Sequence, residues 1–208
     1  MKGHDALVVK ARNCRLCAPH LPHQPNPIFS TAPSTKVLII GQAPGLKAHE
    51  RNIAFDDPSG DRLRDWLSVS RETFYNPSLI SVLPMGFCFP GYKNGADAPP
   101  RKECAPAWHN DFLLYLKPEV TLYVGRYSQQ YYLPQHKTLT EAVRSPTETH
   151  FVLPHPSGRN NRWLAKNPWF ELDILPKLRD TVESVLKVQS CSSRNAKSAS
   201  NGIGFAYK

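Results

Sequence analysis

No stretch of the 208-residue chain holds the 18–20 consecutive apolar residues that a membrane-spanning helix needs, so a membrane protein of the helical kind is not expected. The opening residues, MKGHDALVVKARNC, carry too short an apolar stretch for a signal peptide, and the expected location is the cytoplasm. Two nucleotide-binding signatures are also missing. There is no GxxxxGK[ST] to cradle phosphates and no GxGxxG for a dinucleotide. No internal repeat argues for a solenoid or an array. Acidic residues are in short supply: 26 Lys and Arg stand against 17 Asp and Glu, a formal charge of +9. That balance favours a polyanionic partner, although three of the excess positive charges (Arg194, Lys197 and Lys208) lie in the last twenty residues.

What remains is enough for one domain with a substantial core, over residues 1–187, followed by a polar, Ser-rich stretch, 188–208, that reads as a disordered tail. Short apolar runs bounded by Gly or Pro predict buried parallel strands at Lys36–Ile40, Ser78–Leu83, Val120–Val124 and His150–Leu153. Between them, helical spacing is found at Asp61–Leu67, where Ser59 and Gly60 offer a cap, at Arg101–Tyr115, at Ser128–Leu133 and at Trp169–Leu186; a short helix precedes the Pro-rich segment near the N-terminus. Strands alternating with helices predict an α/β fold whose mostly parallel sheet is covered on both faces.

Three groups of residues carry chemistry. The first is GQAPG, residues 41–45, directly after the first strand. Ligands of open α/β sheets bind beyond the carboxyl ends of strands. The glycines and proline there either make a plain turn or expose backbone N–H groups to a base carbonyl or a developing anion. The second is PHPSGRNNRW, residues 154–163, after the last strand. His155, held between prolines, is either a turn residue or a donor to a leaving base. The following Ser157, Arg159, Asn160 and Arg162 suit phosphate contacts. The third is Cys14, Cys17, Cys88 and Cys104, a CxxC and two distant thiols. Four thiolates suit a [4Fe–4S] cluster or a structural zinc, and the gap between Cys17 and Cys88 requires the N-terminus to fold back onto the sheet. Unconnected buried thiols are the plainer alternative, and Cys191 is a spare thiol in the tail.

Taken together, these residues resemble the uracil-DNA glycosylase superfamily, above all its iron–sulfur branch of bacteria and archaea, over roughly residues 10–187. GQAPGLKAHERNIAF is similar, without gaps, to the family's first motif, matching at Gly41, Ala43, Pro44, Gly45 and Phe55; His155–Pro156–Ser157 matches its second. The resemblance implies a three-layer sandwich with a central four-stranded parallel sheet. It implies hydrolysis of the N-glycosidic bond of uracil or another deaminated base flipped out of DNA, with the cluster in a structural role. His155 would stabilise the departing base anion, helped by the N–H groups of Gln42 and Ala43. Gly41 and Phe55 would hold the base, Phe55 by stacking, and Ser157 would line the same pocket. Arg159, Asn160 and Arg162 would grip DNA.

The chain departs from the family at three places. Gln42 replaces a glutamate; it can orient a water but cannot take its proton. Ala48 and His49 replace an acidic pair, leaving His49 as either an assisting group or a surface residue. Asp56 and Asp57 are nearby carboxylates, or an acidic cap for the helix after them. Pro84 replaces the asparagine that reads the uracil edge, which points to a backbone amide near Met85 or Gly86. Beside a monomeric glycosylase acting on DNA, three other readings stand: a nucleic-acid-binding module without catalysis, an unrelated metal-cluster enzyme or redox protein, and a hydrolase of free nucleotides.

Overall fold

The computed structural model describes residues 3–195, with side chains described up to residue 187. In chain order it runs α1 (Gly3–Arg12), a 3-10 turn, β1 (Val37–Ile40), α2 (Leu46–Arg51), α3 (Pro58–Leu67), α4 (Arg71–Phe74), β2 (Ile80–Val82), a hairpin of β3 (Tyr92–Lys93) and β4 (Ala96–Asp97), α5 (Cys104–Tyr115), β5 (Val120–Val124), α6 (Arg126–Tyr132), α7 (Leu139–Val143), β6 (His150–Leu153), α8 (Asn161–Lys166) and α9 (Leu175–Asn195). The main sheet is parallel throughout, in the order β2-β1-β5-β6. Helices cover both of its faces, in agreement with the expected three-layer α/β sandwich.

Strand β1 divides the core by its period of two. Val37 and Ile39 pack with Leu63 and Trp66 of α3 and with Leu178 and Val182 of α9. Leu38 and Ile40 pack on the other face with Leu7 of α1 and Trp108 and Phe112 of α5. A strand buried on both sides favours apolar residues at every position, and VLII has them.

The N-terminal segment does fold back. Ser30 and Val82 exchange backbone hydrogen bonds of 2.9 and 2.7 Å, which adds an antiparallel bridge along β2. Arg12 donates to the carbonyls of Pro27 and Phe29, pinning α1 to that return.

Helix α3 starts earlier than expected. Pro58 occupies its first turn and Asp57 caps it, accepting from the Gly60 N–H at 2.9 Å. Ser59 and Gly60 therefore lie inside the helix, and the acidic-cap reading holds for Asp57. At the other end, α9 is preceded by a wide π-type turn, Phe170–Ile174, and its backbone runs to Asn195, past the boundary at 187. The rest of the tail read as disordered, 196–208, lies outside the described residues, as does the side chain of Cys191. Among the described residues no helix is long and apolar enough to cross a membrane.

Candidate functional site at the carboxyl edge of the sheet

Parallel strands deliver their C-terminal residues to one edge. Here β1 delivers Gly41, β2 delivers Pro84 just beyond Leu83, and β6 delivers His155. All three line one cavity of about 250 Å³. The GQAPG loop supplies one wall, residues 41–45, and Ala54, Phe55 and Asp57 a second. Ser157, Arg159 and Asn160 supply a third. The two loops singled out from the sequence thus face each other.

His155 has a defined tautomer. The Ser157 N–H donates to its Nδ1 at 3.3 Å, so the ring proton resides on Nε2 when the ring is neutral. Burial lowers its pKa to about 4, against a smaller upward pull from Asp57. At neutral pH the cavity therefore contains an uncharged imidazole with one N–H to give. Asn160 does not face a phosphate with its amide; it donates to the His155 carbonyl at 2.7 Å and locks that backbone.

Phe55 has a φ of 56°, the left-handed region that a bulky residue adopts at a cost of about 1–2 kcal/mol. Its ring edge lies against Gly41, where a Cβ would come within 3.3 Å, and meets Phe74 at right angles, centroids 6.1 Å apart. Gln42 turns towards the start of α6. A Cβ at Gly125 would stand 2.6 Å from Gln42 Nε2, and Gly125 itself has a φ of 91°. The positive φ calls for glycine there, whereas the Gln42 amide, at the end of a flexible side chain, could shift.

Several expected site residues are elsewhere. His49 is not in the cavity wall, although its neighbour Ala48 is. Successive helical residues point about 100° apart, and the His49 ring instead meets His23 at 5.0 Å and Phe89 at 6.2 Å. Its Nδ1 is buried without a hydrogen-bond partner among the described residues. The amides near Pro84 are engaged: the Met85 N–H donates to Gly41 O at 3.0 Å and the Gly86 N–H to Gln42 O at 2.9 Å. Neither can read a base, and Gly86 lines the cysteine cavity instead. Arg162 is exposed outside the cavity wall. Asp56 is held by Arg71 and Arg51 at 2.6 and 3.0 Å, which keeps its carboxyl below the usual range.

Two groups went unread. Asp97, on the hairpin β3–β4, lies at the cavity mouth with Oδ2 close to Gly45. It is exposed on its outer side, yet enough of the carboxyl is enclosed for desolvation to raise its pKa, opposed by Arg159 and assisted by Asp57. Arg159 also ties the hairpin down, donating to Gly95 O at 2.7 Å. A two-residue strand pair leaves too short a pattern to recognise in sequence. The second is His109, fully buried in α5. Its Nε2 must donate to the Pro84 carbonyl at 3.0 Å, so its Nδ1 accepts from the Tyr132 hydroxyl at 2.6 Å. The cavity residue Pro84 is thereby fixed from behind.

A second, smaller cavity gathers Cys14, Cys17, Cys88 and Cys104, with Arg101 beside Cys17. Burial raises the Cys88 thiol to about 11 and the Cys104 thiol to about 12. The Phe87 N–H points at Cys104 Sγ at 3.3 Å, a donor suited to a thiolate. Among the described residues no group of three or more His, Cys, Asp or Glu side chains is set to hold a metal ion as the side chains stand.

The family model of the uracil DNA glycosylase superfamily matches residues 28–179. That span contains both loops of the cavity, Phe55, Cys88 and Cys104, while Cys14 and Cys17 precede it. With the parallel sheet, its ligand edge and the matched span in accord, the chain belongs to the uracil DNA glycosylase superfamily.

Proposed function

We propose that this protein is a DNA glycosylase that removes uracil, or another deaminated base, from DNA. The observation that carries the reading is the placement of a neutral His155 Nε2–H and the Phe55 ring in one cavity of base size. A flipped base stacks on Phe55, and His155 donates to the base oxygen on which charge develops. The N-glycosidic bond breaks with its electron pair going to the base. A water oxygen then bonds to C1′ and gives up a proton, leaving free base and an abasic sugar.

Gln42 cannot accept that proton. Asp57 supports the role better: it lines the cavity, and only its Oδ1 is engaged in capping α3. Asp56 is held by two arginines and does not. Arg159 at the cavity and the exposed Arg162 beyond its wall supply positive charge suited to the DNA backbone, while Asn160 holds the His155 main chain. Monomeric action on DNA in the cytoplasm is part of the same proposal.

The four cysteines support a [4Fe–4S] cluster, with structural zinc as the alternative. Cys14, Cys17, Cys88 and Cys104 come from three separate segments to one cavity, and the donor set suits either group. The cluster would hold the N-terminal segment against the sheet; glycosidic hydrolysis moves no electrons. Broad visible absorbance of the purified protein, with about four irons per chain, supports the cluster, and zinc without absorbance replaces it.

The test is incubation with uracil-containing oligonucleotides, single- and double-stranded, followed by alkaline cleavage of abasic sites. Cleavage that vanishes with His155→Ala supports the reading. Intact uracil with salt-dependent DNA binding removes the uracil assignment, and intact hypoxanthine and xanthine as well would leave a binding module.

A further inference from the structure

The left-handed backbone of Phe55 is not a local preference of its sequence. A bulky aromatic residue avoids that region, and such strain persists only where surroundings impose it. Three neighbours converge on the Phe55 main chain. The Tyr75 hydroxyl donates to its carbonyl at 3.0 Å. Arg64 Nη1 reaches the same carbonyl and the Tyr75 oxygen, each at 3.3 Å. Gly60 lies so close that a Cβ there would stand 1.7 Å from the Phe55 carbonyl oxygen, with no flexible side chain to give way.

Gly60, Arg64 and Tyr75 are not among the residues that line the cavity. Arg64 is 7% exposed, stacks on Phe74 and Tyr75, and is oriented by Asp61 at 2.6 Å. Burial raises the Tyr75 hydroxyl above its ordinary range, so it stays a donor across neutral pH.

We propose that Tyr75, Arg64 and Gly60 form a clamp that sets the Phe55 backbone, so that the ring is pre-arranged as a base-stacking platform against Gly41 before DNA arrives. Tyr75 and Arg64 are positioning residues; they act through Phe55. The role of the platform rests on the glycosylase reading above, whereas the clamp itself is a property of the free protein.

The test has two arms. In the first, the HN–Hα coupling and carbon shifts of Phe55, which report φ, are measured by NMR on the labelled free protein. Tyr75→Phe removes one hydroxyl and keeps the ring; Gly60→Ala inserts the excluded methyl. Both variants are expected to move Phe55 away from its left-handed values while the signals of Phe112, in the opposite core, stay put. Unchanged Phe55 values in Tyr75→Phe overturn the clamp, whether or not Gly60→Ala folds.

In the second arm, single-turnover base release is followed for Tyr75→Phe, Phe55→Leu and the double variant. Tyr75→Phe should slow release by roughly 10- to 100-fold, the scale of a small misplacement, with little change in the half-saturating DNA concentration. The double variant should lose no more than Phe55→Leu alone. Additive losses overturn the claim that Tyr75 acts through Phe55. A wild-type protein that releases no base defeats the glycosylase reading instead, and the first arm still decides the clamp.

Discussion

At the scale of single residues, the cavity depends on a few atoms whose protonation is fixed by their neighbours. In the proposed reaction His155 acts as a neutral donor, its Nδ1 being occupied by the Ser157 N–H. Protonation would set two donors facing each other and break that contact. Its pKa of about 4 means that base release should stay flat from neutral pH down to roughly pH 5 and fall as the ring protonates. A pH–rate profile under single-turnover conditions reads this, and a limb near the ordinary histidine value would contradict it. His155→Ala removes the donor altogether and should slow release by about 10²–10³-fold. Asp57 combines a cap with the proposed acceptance of a proton, and two substitutions separate these. Asp57→Asn retains a good N-cap, so the folding midpoint should hold while the rate drops by about 10²-fold or more. Asp57→Ala should lose the rate and, in addition, about 1 kcal/mol of stability in urea unfolding.

At the scale of elements, the parts legible in the sequence are those with a long enough pattern. Four apolar runs ending in Gly or Pro became the four strands of the sheet, because strands buried on both faces are mainly apolar, with few polar positions such as Ser81 and Thr121. Both loops at the carboxyl edge were legible for a related reason: the end of a parallel strand fixes which side of the sheet a loop opens on. The two-residue strands β3 and β4 and the helices of four to six residues, α2, α4, α7 and α8, were not. The hairpin β3–β4 brings Asp97 to the cavity through a pairing of only two residues per strand. Helix α2 has a single turn and a half, too little to say which side His49 would face. The engagement of the Met85 and Gly86 amides depends on the Gly41 and Gln42 carbonyls of a distant loop, a tertiary fact without local trace. Gly125 illustrates the difference. In sequence it only ends a strand; in the fold its φ of 91° turns β5 into α6 and makes room for Gln42. Gly125→Ala should destabilise the protein by about 1–2 kcal/mol through backbone strain, read as a lower denaturation midpoint with unchanged slope.

At the scale of the whole molecule, two histidines couple the site to global stability. His109 is fully buried between the Pro84 carbonyl and Tyr132, and its pKa falls to about 4, chiefly by desolvation, with the carbonyl pulling back. His155 falls as far. An unfolded histidine titrates near 6.5, so between pH 6.5 and 4 the unfolded chain binds protons that the folded chain refuses. Folded-state pKa values below the unfolded value therefore give a stability that is full above pH 6.5 and declines on acidification towards pH 4. His109 accounts for about 3 kcal/mol of that decline; His155 accounts for less, because one side of its ring opens on a hydrated cavity. Urea unfolding at intervals from pH 7.5 to 4.5 should show a flat region and then a loss in which these two contribute up to two protons' worth of slope, about 2.7 kcal/mol per pH unit, with His49 and His150, also lowered by burial, adding to it in the same sense. In His109→Gln, whose amide can still donate to Pro84, the slope should fall by one proton's worth, about 1.4 kcal/mol per pH unit. A variant with an unaltered slope would mean that acid sensitivity arises outside this buried pair, and that the wall of the cavity at Pro84 does not depend on the charge state of His109.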